Sequence, residues 1–161
     1  HSELDWMGIY GTRLNAEFIR ILLGDLTHHE ILSDPAGVDQ VVSPIAVGSG
    51  WKPGCSTDFD AILFAEKSDA KRVINLSNID YVYEKDPRKF PDAKKIEKIS
   101  WKDFRKIIPE KYEPGLNSPF DPVAAKRADE LGIEVAIMNG NNIGNLESYL
   151  DGKEFKGTLI K

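Results

Sequence analysis

The sequence predicts an α/β domain with a largely parallel sheet, and three observations carry that expectation. Short apolar runs rich in Val and Ile recur at residues 40–47, 72–76 and 133–138. Between them lie stretches that read as helices, entered through Ser, Thr, Asp or Pro. The connections are short and rich in Gly and Asn. Strands alternating with helices in this way favour parallel pairing, with the helices as crossovers. Ligands of such sheets gather at the carboxyl ends of the strands, which directs attention to the loops after Val47, Leu76 and Met138.

Taken in order, residues 12–23 read as a helix, with Leu14, Phe18, Ile21 and Leu22 on one face and Gly24 as a stop. Residues 40–47 read as a buried strand, followed by the Gly-rich loop 48–54. Ser56, Thr57 and Asp58 offer N-cap chemistry for a helix carrying Ile62, Leu63 and Ala65. Residues 72–76 form a second strand and 80–84 a third. The polar, Pro-punctuated stretch 85–98 reads as a surface excursion. Ser100 to Asp103 resembles a capping box opening a short helix that ends before Pro109. Asp121-Pro122 is a helix start, cap residue followed by proline at the first helical position, and that helix stops at Gly132. A strand at 133–138, a helix at 143–150 and an edge strand at 157–160 complete the pattern.

Composition narrows the function classes. Lys plus Arg number 21 against 26 Asp plus Glu, a net charge of −5 with no basic block, which argues against nonspecific nucleic-acid binding. No apolar run approaches the ~18 residues of a spanning helix, so no membrane role is expected. A lone cysteine, Cys55, excludes an internal disulfide framework and fits a reducing cytoplasm. The adjacent His28 and His29 read as a solvated pair, and no Cys or carboxylate frame completes a metal site. The length suits one domain over residues 1–161.

Three constellations can carry chemistry. In the loop 48–58, glycines let backbone N–H groups approach an anion, Ser56 and Thr57 put hydroxyls at a helix start, and Lys52 adds positive charge. Pro53 stands where a Walker A loop has its second glycine, so the loop is either an anion cradle of another kind or an ordinary strand-to-helix turn. Residues 77–88 cluster hydroxyls, rings and carboxylates just past a strand, suited to a base and ribose or to a polar turn with one buried Tyr. The stiff loop 114–122 delivers Asp121 to a helix start, where capping alone explains it.

The ordered motifs, taken together, resemble UMP kinases of the amino-acid kinase superfamily, and the 114–121 loop is similar to their archaeal-type branch. The residues that carry this are Asp5-Trp6-Met7-Gly8-Ile9, Thr12-Arg13-Leu14-Asn15-Ala16, Pro53-Gly54-Cys55-Ser56-Thr57-Asp58, residues 75–83 continuing to Asp86-Pro87-Arg88, and Gly157-Thr158. The resemblance implies a three-layer αβα sandwich and transfer of the ATP γ-phosphoryl to UMP with Mg²⁺, within pyrimidine nucleotide biosynthesis. It implies that Asp5 holds the UMP ribose and that Trp51, Lys52, Pro53, Gly54, Cys55, Ser56 and Thr57 form the UMP loop. Ser77, Tyr83 and Asp86 would line the ATP site, with Asp58 and Asp121 as catalytic organisers of the reacting centre. Homo-oligomers, hexamers built from dimers, are implied too, with the 12–23 helix as a contact element.

Departures from the family pattern sharpen the expectations. Trp51 and Lys52 stand where the archaeal pattern has Thr and His, which bears on base preference. Tyr81 follows Asp80 where the family has Gly, and asks for a different backbone angle. The family's N-terminal phosphate-loop segment does not precede Asp5, so residues 1–161 are expected to be the C-terminal majority of the domain and inactive alone. Two other readings remain: a different small-molecule kinase on this fold, such as one acting on isopentenyl phosphate, and a non-catalytic nucleotide-binding or assembly subunit.

Overall fold

The three helix starts expected at Ser56, Ser100 and Asp121 each form on a capping oxygen within three residues of an orphan N–H. Ser56 Oγ accepts the Phe59 N–H at 3.1 Å and opens α2 (Thr57–Lys67). Ser100 Oγ accepts the Asp103 N–H at 3.2 Å and opens α3 (Trp101–Ile107). Asp121 Oδ1 accepts the Ala124 N–H at 2.6 Å and opens α4 (Pro122–Leu131), which Gly132 ends. These elements belong to a computed structural model that describes residues 2–111 and 118–161. Of the Pro-rich loop singled out above, residues 114–117 lie outside the described residues.

The chain divides into two compact units, His1–Ala70 and Lys71–Lys161. In the first, α1 spans Ser2–Leu23, ten residues further toward the N-terminus than the sequence suggests. Gly8 and Gly11 inside it weaken the helical signal, since glycine disfavours a helix interior. Ile9 and Ala16 are buried, whereas Leu14, Phe18, Ile21 and Leu22 stand more than 60% exposed. The strand expected at 40–47 does not form. Pro35–Gln40 is a 3-10 helix, and among the described residues the segment and the glycine after it pair only as the isolated parallel bridges Thr27–Ile45 and Leu32–Gly48. Pro44 lacks an N–H to donate to a ladder, and Val42 is 88% exposed. His28 is buried and tilts against His29, so it is not a solvated side chain.

The second unit holds a four-stranded sheet in the order β1-β5-β6-β4, with β1 at Arg72–Ser77, β4 at Lys98–Ile99, β5 at Glu134–Asn139 and β6 at Thr158–Ile160. β1 and β5 pair in parallel from Arg72–Glu134 to Ser77–Asn139, and β4 with β6 likewise, while β5 and β6 are antiparallel. The fold is α/β with a mainly parallel sheet, as the alternation predicts. β6 lies inside the sheet, not at its edge, because β4 forms at the end of the polar stretch that reads as a surface excursion. From the same stretch β3 (Lys95–Ile96) pairs with β2 (Val82–Tyr83) as a small antiparallel ribbon. Phe104, Phe120, Ala124, Ala128, Val135 and Ile137 are fully buried. Trp101 donates its indole N–H to the Ile133 carbonyl at 3.0 Å, tying the start of α3 to the entry of β5. α5 (Ile143–Leu150) follows β5, capped by Asn142.

Candidate functional site

Within the first unit, the loop 48–55 is fixed from both sides by side chains of α1 and α2. Its entry is clasped by Leu32, whose N–H donates to the Val47 carbonyl and whose carbonyl accepts the Ser49 N–H. The next two amides are held in turn. Gly50 N–H donates to Thr12 Oγ1 at 2.9 Å, and Trp51 N–H donates to Asp60 Oδ2 at 3.0 Å. Residues 52–55 then make a tight turn closed by Cys55 N–H on the Lys52 carbonyl. Pro53 and Gly54, with Gly54 at φ +82°, occupy the two central positions, the arrangement of a type II turn. Gly54 N–H donates to Asp5 Oδ2 at 3.2 Å. Lys52 Nζ lies 3.6 Å from the centre of the Trp51 ring, a close cation–π contact.

Asp5 and residues 51–57, singled out from the sequence, are thus brought together in one unit. Asp58 follows in the first turn of α2, where a carboxylate also complements the helix dipole. Beside them lies a cavity of about 730 Å³, lined by Thr12, Ser49, Gly50, Thr57 and Asp60 and by apolar side chains that include Leu32 and Phe64. Asp60 is the residue that sequence reasoning missed. It is almost wholly buried, and burial pushes its carboxyl pKa up, against the pull of the Trp51 N–H and the Lys52 charge. An acid in the first turn of a helix reads as a dipole partner, so nothing local separates Asp60 from Asp58.

In the second unit, a cavity of about 470 Å³ is lined by Ser77, Tyr81, Tyr83, Asp86, Arg88 and Pro119 among others. Ser77 ends β1, where the switch from strand to loop is expected to place a ligand. Gly140 N–H donates to the Ser77 carbonyl at 2.8 Å, so the carboxyl ends of β1 and β5 are joined. Asp80 is held there by Asn139 Nδ2 at 2.9 Å and by Lys156 Nζ at 3.7 Å, two partners that sequence reasoning did not single out. Tyr83 lies in the ribbon β2–β3, and the Val82 N–H beside it donates to Thr158 Oγ1 at 2.8 Å. Thr158 in turn donates to the Ile96 carbonyl, so one buried hydroxyl fastens the ribbon to the sheet.

Asp86 organises its own turn. Its carboxylate accepts the Arg88 N–H at 3.0 Å and two guanidinium N–H bonds at 3.1 Å, and the hydrogen bonds from Arg88 hold its pKa below the usual carboxylate range. Its carbonyl accepts the Lys89 and Phe90 N–H groups. Tyr81 keeps an ordinary backbone angle; among the described non-glycine residues only Asp69 has a positive φ. The Tyr81 ring carries Lys95 Nζ at 4.7 Å from its centre. Asp121 is buried as the cap of α4. No cluster of three His, Cys, Asp or Glu side chains suited to a metal occurs among the described residues, and no described helix is long and apolar enough to cross a membrane.

Comparison with known proteins agrees with this arrangement. Residues 29–139 match the model of the amino acid kinase family. The chain is 34% identical to the uridylate kinase of Methanospirillum hungatei, covering 97% of this chain and 67% of that protein. It is 29% identical to the uridylate kinase of Sulfurisphaera tokodaii, over 99% of this chain and 72% of that one. Its fold superimposes on the crystal structure of uridylate kinase from Archaeoglobus fulgidus with a TM-score of 0.84 at 28% identity, over 99% of this chain and 72% of that one. The chain belongs to the amino acid kinase family.

Proposed function

We propose that the chain carries the nucleotide-binding loops of an ATP-dependent UMP kinase. A phosphate oxygen of UMP attacks the γ-phosphorus of ATP, the bond to the β,γ-bridging oxygen breaks, and UDP and ADP leave. The observation that carries the reading is the rigid loop 50–56: its amides are fixed by Thr12, Asp60 and Asp5, and it leads into the N-terminus of α2. The helix N-terminus to which the loop leads is the anion-receiving part, and phosphoryl transfer depends on positioning and charge neutralisation. Trp51, Lys52, Pro53, Gly54, Cys55, Ser56 and Thr57 take the UMP phosphate and base, with Asp5 on the ribose. Ser77, Tyr83 and Asp86 take ATP. The kinship with uridylate kinases over nearly the whole chain favours this over an isopentenyl phosphate kinase or a non-catalytic subunit.

Magnesium, bound with ATP, would supply neutralisation of phosphate charge; it commonly needs only one or two protein carboxylates beside phosphate oxygens and water. Asp58, in the first turn of α2, and Asp121, the cap of α4, would act as catalytic organisers of the reacting centre. The single cysteine supports a cytoplasmic setting, and UMP phosphorylation would place the chain in pyrimidine nucleotide synthesis. The stripe Leu4, Met7, Leu14, Phe18 and Ile21 supports self-association through α1, within a dimer-based hexamer. Every one of these side chains is more than 60% exposed, and their spacing is that of a helix–helix seam.

Steady-state kinetics on the full-length protein test the site. Asp5→Ala is expected to raise KM for UMP about tenfold with little change in KM for ATP, and Tyr83→Ala the reverse. Equal effects of both changes on both substrates would contradict the assignment.

A further inference from the structure

Asp60 has no role in the assignment above, yet its placement is costly. The side chain is 3% exposed. Oδ2 accepts the Trp51 N–H at 3.0 Å, while Oδ1 is buried with no hydrogen-bond partner among the described residues. Burying a carboxylate on one hydrogen bond opposes folding, and an apolar residue at this point of α2 would avoid the penalty. Such groups in a folded protein call for a reason beyond stability.

The geometry supplies one. Thr12 and Asp60 seize consecutive amides, Gly50 and Trp51, from two different helices. With both N–H vectors fixed, the peptide planes entering the 52–55 turn are fixed as well. Lys52 then rests on the ring of the residue whose amide Asp60 holds, its ammonium 3.6 Å from the Trp51 ring centre, and its charge favours the ionised form of Asp60. A lysine on a four-carbon stem is ordinarily free to roam. Here the Trp51 ring face restrains it.

We propose that Asp60 is a positioning residue for the acceptor nucleotide, holding the Trp51 amide and the Lys52 ammonium in the receiving arrangement without itself touching substrate. The proposal rests on the reading of residues 51–57 as the UMP loop. The distinctive element is the charge. An amide at position 60 can still accept the Trp51 N–H, but it cannot attract Lys52.

The test is steady-state kinetics of the full-length protein with UMP and ATP varied separately, alongside far-UV circular dichroism. Asp60→Asn is expected to raise KM for UMP about threefold to tenfold, with kcat and KM for ATP within about twofold. Asp60→Leu, which also releases the Trp51 amide, is expected to raise KM for UMP beyond tenfold; if it does not fold, the Asp60→Asn variant decides. In a Lys52→Met background, Asp60→Asn is expected to add less than about twofold, because the charge acts through Lys52. An unchanged KM for UMP in Asp60→Asn overturns the proposal. So does a matched loss in kcat and in both KM values, which marks a purely structural role. A wild-type protein that transfers nothing to UMP overturns the functional reading and the proposal together; an active wild type with an indifferent Asp60→Asn variant overturns the proposal alone.

Discussion

Thr158 is the point at which a small chemical change has the most legible consequence. Its side chain is fully buried, and its hydroxyl both accepts the Val82 N–H at 2.8 Å and donates to the Ile96 carbonyl. Thr158→Val keeps the shape and removes both bonds. The Val82 amide is enclosed and loses the partner this geometry gives it, at about 1–3 kcal/mol. The Ile96 carbonyl is half-buried and recovers part of its bond from water, so its loss is nearer ~1 kcal/mol. The sum is about 2–4 kcal/mol. With a urea slope on the order of 2 kcal/mol per molar, the unfolding midpoint falls by about 1–2 M. Thr158→Ser retains the hydroxyl and loses one methyl, costing about 1 kcal/mol. Urea unfolding followed by circular dichroism gives both numbers, and amide exchange at Val82 reports the local change. Because Tyr83 rides on the same ribbon, KM for ATP is expected to rise in the Thr158→Val variant. A variant within about 0.5 kcal/mol of wild type, with Val82 still protected, would refute the reasoning.

Three other changes bear on different parts of the account. Gly157→Ala places a methyl 2.6 Å from the Ile137 carbonyl and into the Phe155 ring; the ring can swing but the β5 backbone cannot, so about 1–3 kcal/mol is lost in thermal or urea unfolding. Asp60→Asn tests the buried acid by linkage. A folded pKa raised above the unfolded value of about 3.9 means that ionisation opposes folding, a penalty absent below that value and complete above the folded pKa. The stability of the Asp60→Asn variant relative to wild type is therefore more favourable at pH 7 than at pH 4 in urea unfolding, and the opposite trend would count against the burial argument. Phe18→Glu, on the exposed stripe of α1, is expected to shift sedimentation velocity toward the monomer while changing stability by less than about 0.5 kcal/mol.

What the sequence makes legible here is local. The caps at Ser56, Ser100 and Asp121 act within three residues, and all three are made. The strands at β1 and β5 are apolar enough to declare themselves, and their parallel register brings Ser77 and Gly140 together as the loop pattern implies. Non-local pairing is less visible. Nothing in residues 95–99 signals that two short strands there will pair with Val82-Tyr83 on one side and with Thr158–Ile160 on the other. The apolar run at 40–47 looks like a strand because β propensity reports side-chain type, whereas a strand needs a neighbour in register; among the described residues only Ile45 within it, and Gly48 just after it, form a bridge. The site divides in the same way. Residues 51–57 stand out by composition, but the three anchors of this loop lie 49, 38 and 9 residues from the amides they hold, at Asp5, Thr12 and Asp60. Of these, Asp5 is reached through family resemblance, and Asp60 through geometry alone.

The central claim is that this chain's loops serve phosphoryl transfer from ATP to UMP. The most direct test is product formation by the full-length protein with MgATP and UMP, CMP, dTMP or isopentenyl phosphate as the acceptor, resolved by ion-exchange chromatography. The account predicts UDP and ADP in equal amounts, with kcat/KM for UMP at least about tenfold above each of the other acceptors. Turnover of isopentenyl phosphate with UMP untouched, or nucleotide binding with transfer to no acceptor, would contradict it.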